Sequence, residues 1–305
     1  MSDQPVVRTR AAADVDGRPR DRSRPAAPEP LPHPVVDTHC HLDIADTDVV
    51  DGWDAAASIT AAAAVGVARI VQIGCDLPSA RWAVAAASHR PALVAGVALH
   101  PNEAPRLAGL GELDAAYTEI EALAADPVVR VVGETGLDFF RTTDSEALAV
   151  QRESFAWHVD LAKRLGKTLQ IHDRDSHDDV LDLLDAEGAP ERVVMHCFSG
   201  GVAFAKACLD RGFWLSFAGT VTFKNAPVLR SALAATPLDK VLVETDAPFL
   251  TPMPYRGRPN ASYLVPLTVR AMAQVRAEDL GDLCMALDSN ATTAFGGSWP
   301  AAATT

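Results

Sequence analysis

The chain has 305 residues, 48 % of them hydrophobic, with 40 acidic against 27 basic side chains and a formal net charge of −13. That is ample apolar material for a large core, and a single α/β barrel routinely reaches this length. The acidic balance argues against a protein that coats duplex DNA through a broad basic surface, five cysteines without a C-x-x-C pair argue against a disulfide scaffold, and no apolar run reaches membrane-spanning length.

Residues 1–34 are rich in Pro, Arg, Ala and Asp, lack apolar periodicity and contain no apolar signal segment. They are expected to form a disordered, solvated tail whose arginines are interleaved with acids. The chain is expected to be cytoplasmic, with no membrane association and no obligate protein partner evident.

From residue 35 a pattern repeats: a short β-branched run, a turn, then an Ala- and Leu-rich helical stretch. The expected strands are 35–42, 68–75, 93–99, 128–134, 168–172, 192–197, 213–218 and 240–245. Helical stretches between them include 54–65, 79–89, 112–125, 146–166 and 177–187, and one or two closing helices fall in 262–295. Alternating strands and helices predict a parallel sheet with covering helices. Eight units predict an α/β fold of the (β/α)8 TIM-barrel class over 35–296, followed by a frayed tail at 297–305. An open doubly wound sheet is the main rival, but no G-x-G-x-x-G follows the first strand.

The strand ends carry the chemistry. In "VVDTHCHLD", His39 and His41 stand two apart on a strand and so share a face. Strand three runs into His100. Strand four ends in "GETGLD" with Glu134 and Asp138, and strand five in "IHDRD" with His172 and Arg174. Strand six ends in "HCFSG" with His196, and strand eight in "ETDAPFL" with Glu244 and Asp246. In a barrel these ends converge on one mouth, where so many ionisable groups are costly to bury without a compensating ion. Mixed imidazole and carboxylate donors suit Zn, Mn, Fe or Co, and the carboxylates admit Mg. Two ions bridged by a carboxylate would use all the donors. Cys40 and Cys197 lie beside histidines and are expected to face away from the mouth as small packing residues.

These motifs, with "LHPNEA" at 99–104, "VTFKNA" at 221–226 and "YRGRPN" at 255–260, resemble in the same order those of the TatD family of metal-dependent deoxyribonucleases, within the amidohydrolase-like barrels. The resemblance runs from about residue 35 to about residue 295. It implies two divalent cations per chain (Mg, Mn or Zn), one bound by His39 and His41, the other by His172 and His196. Glu134 would bridge them, and Asp246 would ligate metal and act as general base toward a metal-activated hydroxide. The implied activity is phosphodiester hydrolysis, as a 3′-to-5′ exodeoxyribonuclease on the ends of single-stranded DNA or RNA. The N-terminal tail departs from the family pattern.

Phosphate oxygens call for cations or donors beyond the metals. Candidates are Arg174, Lys224, Arg256 and His100, with Arg258 on the same loop as Arg256. Asp138 and Glu244 are expected to orient ligands. The aromatic rings of Phe139, Phe140, Phe198, Phe223 and Phe249 are placed to stack a base or to pack. The rival chemistry on the same site is aminoacyl-tRNA deacylation or another ester or amide hydrolysis. No lysine on strand four offers a carbamylated bridge, since Glu134 takes that place.

Overall fold

Each of the eight β-branched runs becomes a strand of one parallel sheet in the computed structural model, which describes residues 8–9, 21–45 and 53–302. The strands are β1 (Val35–Cys40), β2 (Val67–Gly74), β3 (Leu93–Val97), β4 (Val129–Asp138), β5 (Thr168–Arg174), β6 (Val193–Met195), β7 (Trp214–Phe217) and β8 (Val241–Val243). They are hydrogen-bonded in chain order. The sheet then closes on itself: the Asp246 N–H donates to His39 O at 2.9 Å and the His41 N–H to Ala247 O at 2.8 Å. This is the (β/α)8 barrel, not the open sheet. Strands covered on both faces read as near-continuous apolar runs, as in β3, buried throughout.

The covering helices are α1 (Ala55–Ala64), α2 (Leu77–His89), α3 (Glu103–Leu110), α4 (Leu113–Ala124), α5 (Ser145–Leu165), α6 (His177–Glu187), α7 (Val202–Asp210), α8 (Pro227–Ala235), α9 (Val265–Arg276) and α10 (Leu280–Ala294). Their ends follow local chemistry. Asp76 caps α2 by accepting from Ser79 N at 2.9 Å, which starts that helix two residues before the expected 79. Asp144 caps α5, and Gly166 at φ +61° ends it.

The barrel has a floor and an open top. Inward residues such as Val36, Val71, Val131, Val194 and Leu242 pack on Ala291, Ala294 and Phe295 at the end of α10, and on Trp299. That apolar plug seals the N-terminal ends of the strands. The loaded C-terminal ends therefore face the open mouth.

Two expectations need correction. Residues 21–34 are not a disordered tail. They form an extended strap docked on the barrel: the Leu31 N–H donates to Val65 O at 3.0 Å, the Tyr263 hydroxyl to Pro25 O at 2.7 Å, and Arg270 to Pro30 O at 3.1 Å. A proline-rich segment satisfies few of its own backbone groups, so its composition does not distinguish a docked strap from a free tail. Of the expected tail, residues 1–7 and 10–20 lie outside the described residues, and Arg8–Thr9 pair with Ile44–Ala45. Residues 297–302 are not frayed either. Trp299 is buried in the floor with its Nε1–H on Ala92 O at 3.1 Å, and the Ala302 N–H donates to Ala68 O at 2.8 Å. Residues 303–305 lie outside the described residues. Among the described residues no helix is long and apolar enough to cross a membrane.

Candidate active site

β1 supplies the first two imidazoles. Val36 faces the barrel interior while Val35 and Cys40 pack outward. Turning both His39 and His41 inward requires the alternation to slip by one residue, and the β1–β2 register is irregular between Asp37 and Cys40. His39 Nδ1 lies 3.0 Å from Gln170 Oε1, and His41 Nδ1 lies 3.1 Å from Ile73 O. Both partners are acceptors, so in the neutral rings each Nδ1 carries the proton and each Nε2 presents its lone pair. Burial acts to lower His41, but Cys75 and Asp246 outweigh it and raise the ring, so a proton competes with a cation for its Nε2. The two Nε2 atoms face each other at 3.2 Å. Two nitrogens so close need a proton or a cation between them, and a divalent cation there would be held by both rings.

Glu134 stands between two histidine groups. Its Oε2 is 3.7 Å from His39 Nε2, while its Oε1 is 2.6 Å from His172 Nδ1 and 3.3 Å from His196 Nε2. His39 stacks on His196 at 3.6 Å between ring centres. Local backbone makes this approach possible. β4 continues past the expected residue 134 to Asp138, paired with β5 so that Gly136 stands opposite His172. At φ +138°, Gly136 has no room for a side chain: a Cβ there would sit 2.0 Å from His172 O. Behind these ligands stand two more carboxylates. Glu244 Oε1 lies 2.8 Å from His196 Nδ1 and accepts from Cys197 N at 2.9 Å. Asp138 Oδ2 lies 3.4 Å from His172 Nε2. Neither imidazole contact has hydrogen-bond geometry; both are ion-pair distances.

Asp246 approaches the same cluster from the β8 end. Its Oδ1 is 3.4 Å from His41 Nε2 and 3.7 Å from His39 Nε2. Its backbone is held at φ +53°, a conformation rare for a residue with a side chain.

The electrostatics suit cation binding. Burial, then the neighbours His196 and His41, hold His39 well below the ordinary imidazole range, so it stays neutral, the form that ligates metal. Burial acts to raise Glu134, but His196, His100 and His172 outweigh it and keep the carboxyl well below its ordinary value. His196 goes the other way: Glu244 and Glu134 outweigh burial and raise it, so proton and metal compete for that ring. Donor atoms of His39, His41 and Glu134 lie within 4.8 Å of one another, as do those of Glu134, His172 and His196, and those of His39, His196 and Asp246. All six sequence-predicted ligands thus converge on one cluster, and the donor set fits divalent cations.

The mouth is a cleft of about 940 Å³ lined by His41, Glu134, His172, His196 and Asp246, with Arg174 at its edge. His100 lies in it too. Its Nδ1 accepts from Asn102 N at 3.1 Å, which puts the proton of the neutral ring on Nε2, 3.7 Å from Glu134 Oε1. Burial lowers His100 to about 3, so it is a neutral donor. Across the described residues most cationic heads are taken: Arg69 by Asp288, Arg81 by Glu119, Arg152 by Asp179, Arg211 by Asp185. Arg174, Lys224 and Arg256 differ: among the described residues no carboxylate or carbonyl takes their charge, and the two arginines stack on Phe140 and Phe223 instead. Arg258 does not join them. Its guanidinium is clasped by the strap, donating to Ser23 O at 2.9 Å and to Ser23 Oγ at 2.8 Å.

Two cysteines depart from the sequence reading. Cys40 packs outward as expected, but Cys197, at φ +43°, lines the cleft. β6 ends at Met195, so strand alternation no longer governs residue 197. Cys75, unremarked in the sequence, also lines the cleft, with its Sγ 3.3 Å from Glu134 Oε2. Burial pushes this thiol up to about 12, so it remains a protonated donor. Its position just after β2 was the available signal. Phe198 is core, packed on Phe204 and Phe217.

Comparison with known proteins agrees with this geometry. A family model described as TatD related DNase matches residues 36–296. The chain is 46 % identical over 271 residues to an uncharacterized metal-dependent hydrolase TatD of Mycobacterium tuberculosis, covering 87 % of this chain and 99 % of that one. It is 34 % identical to the uncharacterized metal-dependent hydrolase YcfH of Escherichia coli K12, covering 86 % and 95 % of the two chains. The crystal structure of YJJV, a TatD homologue from Escherichia coli, superposes with a TM-score of 0.76 at 28 % identity, covering 87 % of this chain and 98 % of that one.

Proposed function

The chain belongs to the TatD family of metal-dependent hydrolases, and from that premise we propose that it cleaves phosphodiester bonds, as a 3′-to-5′ exonuclease on single-stranded DNA and, secondarily, RNA. The observation that carries the reading is the pair of facing Nε2 atoms of His39 and His41 at 3.2 Å, beside Asp246, with Glu134 between them and the second histidine pair. His39, His41, Glu134, His172, His196 and Asp246 would hold two divalent cations. When bound, such ions lower the pKa of a water and offset phosphate charge.

The chain's own residues do the rest. Asp246, on the open side of the cluster, accepts the proton of the attacking water and returns it to the leaving 3′-oxygen. Glu134, kept ionised by its histidines, fixes both halves of the ligand set. Glu244 and Asp138 orient His196 and His172. His100 offers Nε2–H to a phosphate oxygen, and Arg174 at the cleft edge, with Lys224 and Arg256 on the loops after β7 and β8, offers charge that no carboxylate among the described residues takes.

The test is a 5′-labelled single-stranded oligonucleotide incubated with the protein and Mg²⁺ or Mn²⁺, with chelator and Asp246→Asn as controls. A ladder shortening from the 3′ end, lost in both controls, is the expected result. An intact strand alongside measured metal in the protein overturns it and moves the same site to ester hydrolysis, with aminoacyl-tRNA as the next substrate.

A further inference from the structure

We infer that the mouth carries a strand-binding rim, in which Arg174 on Phe140 and Arg256 on Phe223 hold the single-stranded nucleic acid lying 5′ of the bond to be cut. This rests on the nuclease reading above and extends it to the substrate's length and form. The Arg174 guanidinium carbon lies 3.9 Å above the Phe140 ring, and that of Arg256 lies 4.3 Å above Phe223. A guanidinium stacked on a ring keeps its in-plane N–H groups free for phosphate, while the flat faces left over take a base. Phe140 is 59 % exposed, so its ring is open to a ligand as well as backing Arg174. Phe249, 39 % exposed, stands edge-on to His41 with ring centres 6.3 Å apart, between the metal ligands and the solvent.

The positions of these residues decide the occupant. Arg174 ends β5, Phe223 and Lys224 follow β7, and Phe249 and Arg256 follow β8, so all stand at, or on loops leaving, the strand ends where the ligands converge. Arg174 and Phe249 line the cleft itself, and Phe140, Phe223, Lys224 and Arg256 lie outside its lining. Stacked arginines interleaved with exposed rings bind single strands with little sequence preference, since every base has a π-face and every linkage a charge. A duplex hides its bases from such a rim. The net charge of −13 over the chain works against binding a polyanion through general surface attraction. Three cations without a carboxylate partner among the described residues correspond to a salt slope of about −2 for a single strand.

The experiment measures fluorescence anisotropy of the metal-loaded full chain with a 5′-labelled phosphorothioate oligothymidylate, whose linkages resist hydrolysis. Its partner is an abasic phosphorothioate strand of equal length. The proposal expects the abasic strand to bind about tenfold more weakly to the unaltered protein. It also expects Phe140→Ala/Phe223→Ala to weaken the oligothymidylate about tenfold, with its thermal midpoint recorded as a fold control. Equal binding of the two strands to the unaltered protein overturns the rim, and that comparison requires no variant to fold. No strand binding at all overturns it too. A strand bound in the expected way, whose ordinary phosphodiester counterpart is never cut, sinks the nuclease reading alone. A strand that is cut but bound alike with and without bases sinks the rim alone.

Discussion

Thr245 donates its hydroxyl to Asp37 Oδ2 at 2.6 Å and its N–H to Asp37 Oδ1 at 2.8 Å, across the seam where β1 meets β8. The next residue is Asp246, at φ +53°. A backbone conformation this uncommon persists when its neighbours over-determine it, and the Asp37 carboxylate is the neighbour that does so. The Thr245 hydroxyl also accepts from Ala247 N at 3.1 Å, so one side chain fixes both flanks of Asp246. Thr245→Val keeps the size but removes the hydroxyl. The expected outcome is a kcat lower by about 10- to 100-fold, as for other outer partners of a metal site, with KM changed by less than about threefold. Steady-state kinetics on a phosphodiester substrate decide it, and an unaltered kcat would contradict a positioning role for Asp37.

The barrel was legible because its strands are buried on both faces and read as apolar runs, as "IVQIG" and "LVAGV" do. The six ligands were legible because strand ends in a barrel converge on one mouth, so polar residues there are not scattered in space. Where regular structure stops, side-chain direction ceases to follow from sequence. Cys197 lies two residues past β6 and turns into the cleft instead of away from it. Arg258 sits in the same loop as Arg256, yet the strap captures one and leaves the other to Phe223, a tertiary contact that no spacing encodes. Gln170, inside β5, carries no charge to draw notice, but it sets the tautomer of His39. The strap and the Trp299 floor were hidden for a related reason. Both are irregular segments held by scattered tertiary contacts rather than by a periodic apolar face.

His158 gives the fold a pH dependence of its own. It is buried in α5, with Nδ1–H donating to Ser154 O at 2.7 Å and Nε2 accepting from Leu99 N at 3.1 Å. Nδ1–H donates in either form, but accepting from Leu99 requires the neutral ring, and burial, against the Ser154 bond, lowers its pKa to about 4. The ordinary imidazole value is 6.5, so the unfolded chain takes up the proton first as pH falls. The stabilisation is complete above about pH 6.5 and is lost as pH falls toward 4, by ~3 kcal/mol in all. His158→Gln retains an acceptor for Leu99 N and has no such titration. Urea unfolding at pH 7.5 and 4.5, in chelator so that metal release does not enter, is expected to show the unaltered protein losing ~3 kcal/mol more than the variant over that interval. Parallel losses would show that His158 does not carry the effect.

The strap is fastened at a few identifiable points. The buried Tyr263 hydroxyl on Pro25 O is one, and the ring of Tyr263 meets Trp53 edge-on at 5.6 Å, with the Arg24 guanidinium 4.3 Å from the Trp53 ring on its own account. Tyr263→Phe leaves the ring in place and orphans a carbonyl that water reaches poorly. It is expected to cost about 1–3 kcal/mol locally, with little change in global unfolding, because the strap can detach without opening the barrel. Limited proteolysis reads this directly: cleavage within 21–34 should accelerate by about an order of magnitude or more, in keeping with that local cost. Unchanged cleavage would mean that the other contacts hold the strap without Tyr263.

Trp299 tests the floor. Its indole lies between two arginines, 4.7 Å from the Arg69 guanidinium and 5.2 Å from that of Arg130, and it packs edge-on against Phe295. Arg130 also donates to Ser298 O at 3.2 Å, and Arg69 is paired with Asp288 on α10, so the indole sits inside a clasp joining the C-terminal segment to β2 and β4. Removing it opens a cavity beneath Val36, Val71 and Val131 and strips one face from each guanidinium. Trp299→Ala is expected to cost ~3–5 kcal/mol, the usual range for a buried aromatic cut to alanine, with a clear fall in thermal midpoint. The mouth is at the opposite end of the strands, so kcat and KM measured well below that midpoint should stay within about twofold of the unaltered protein, as sites without shared partners act independently. A loss of stability under about 1 kcal/mol would instead place the segment after Gly297 outside the cooperative fold.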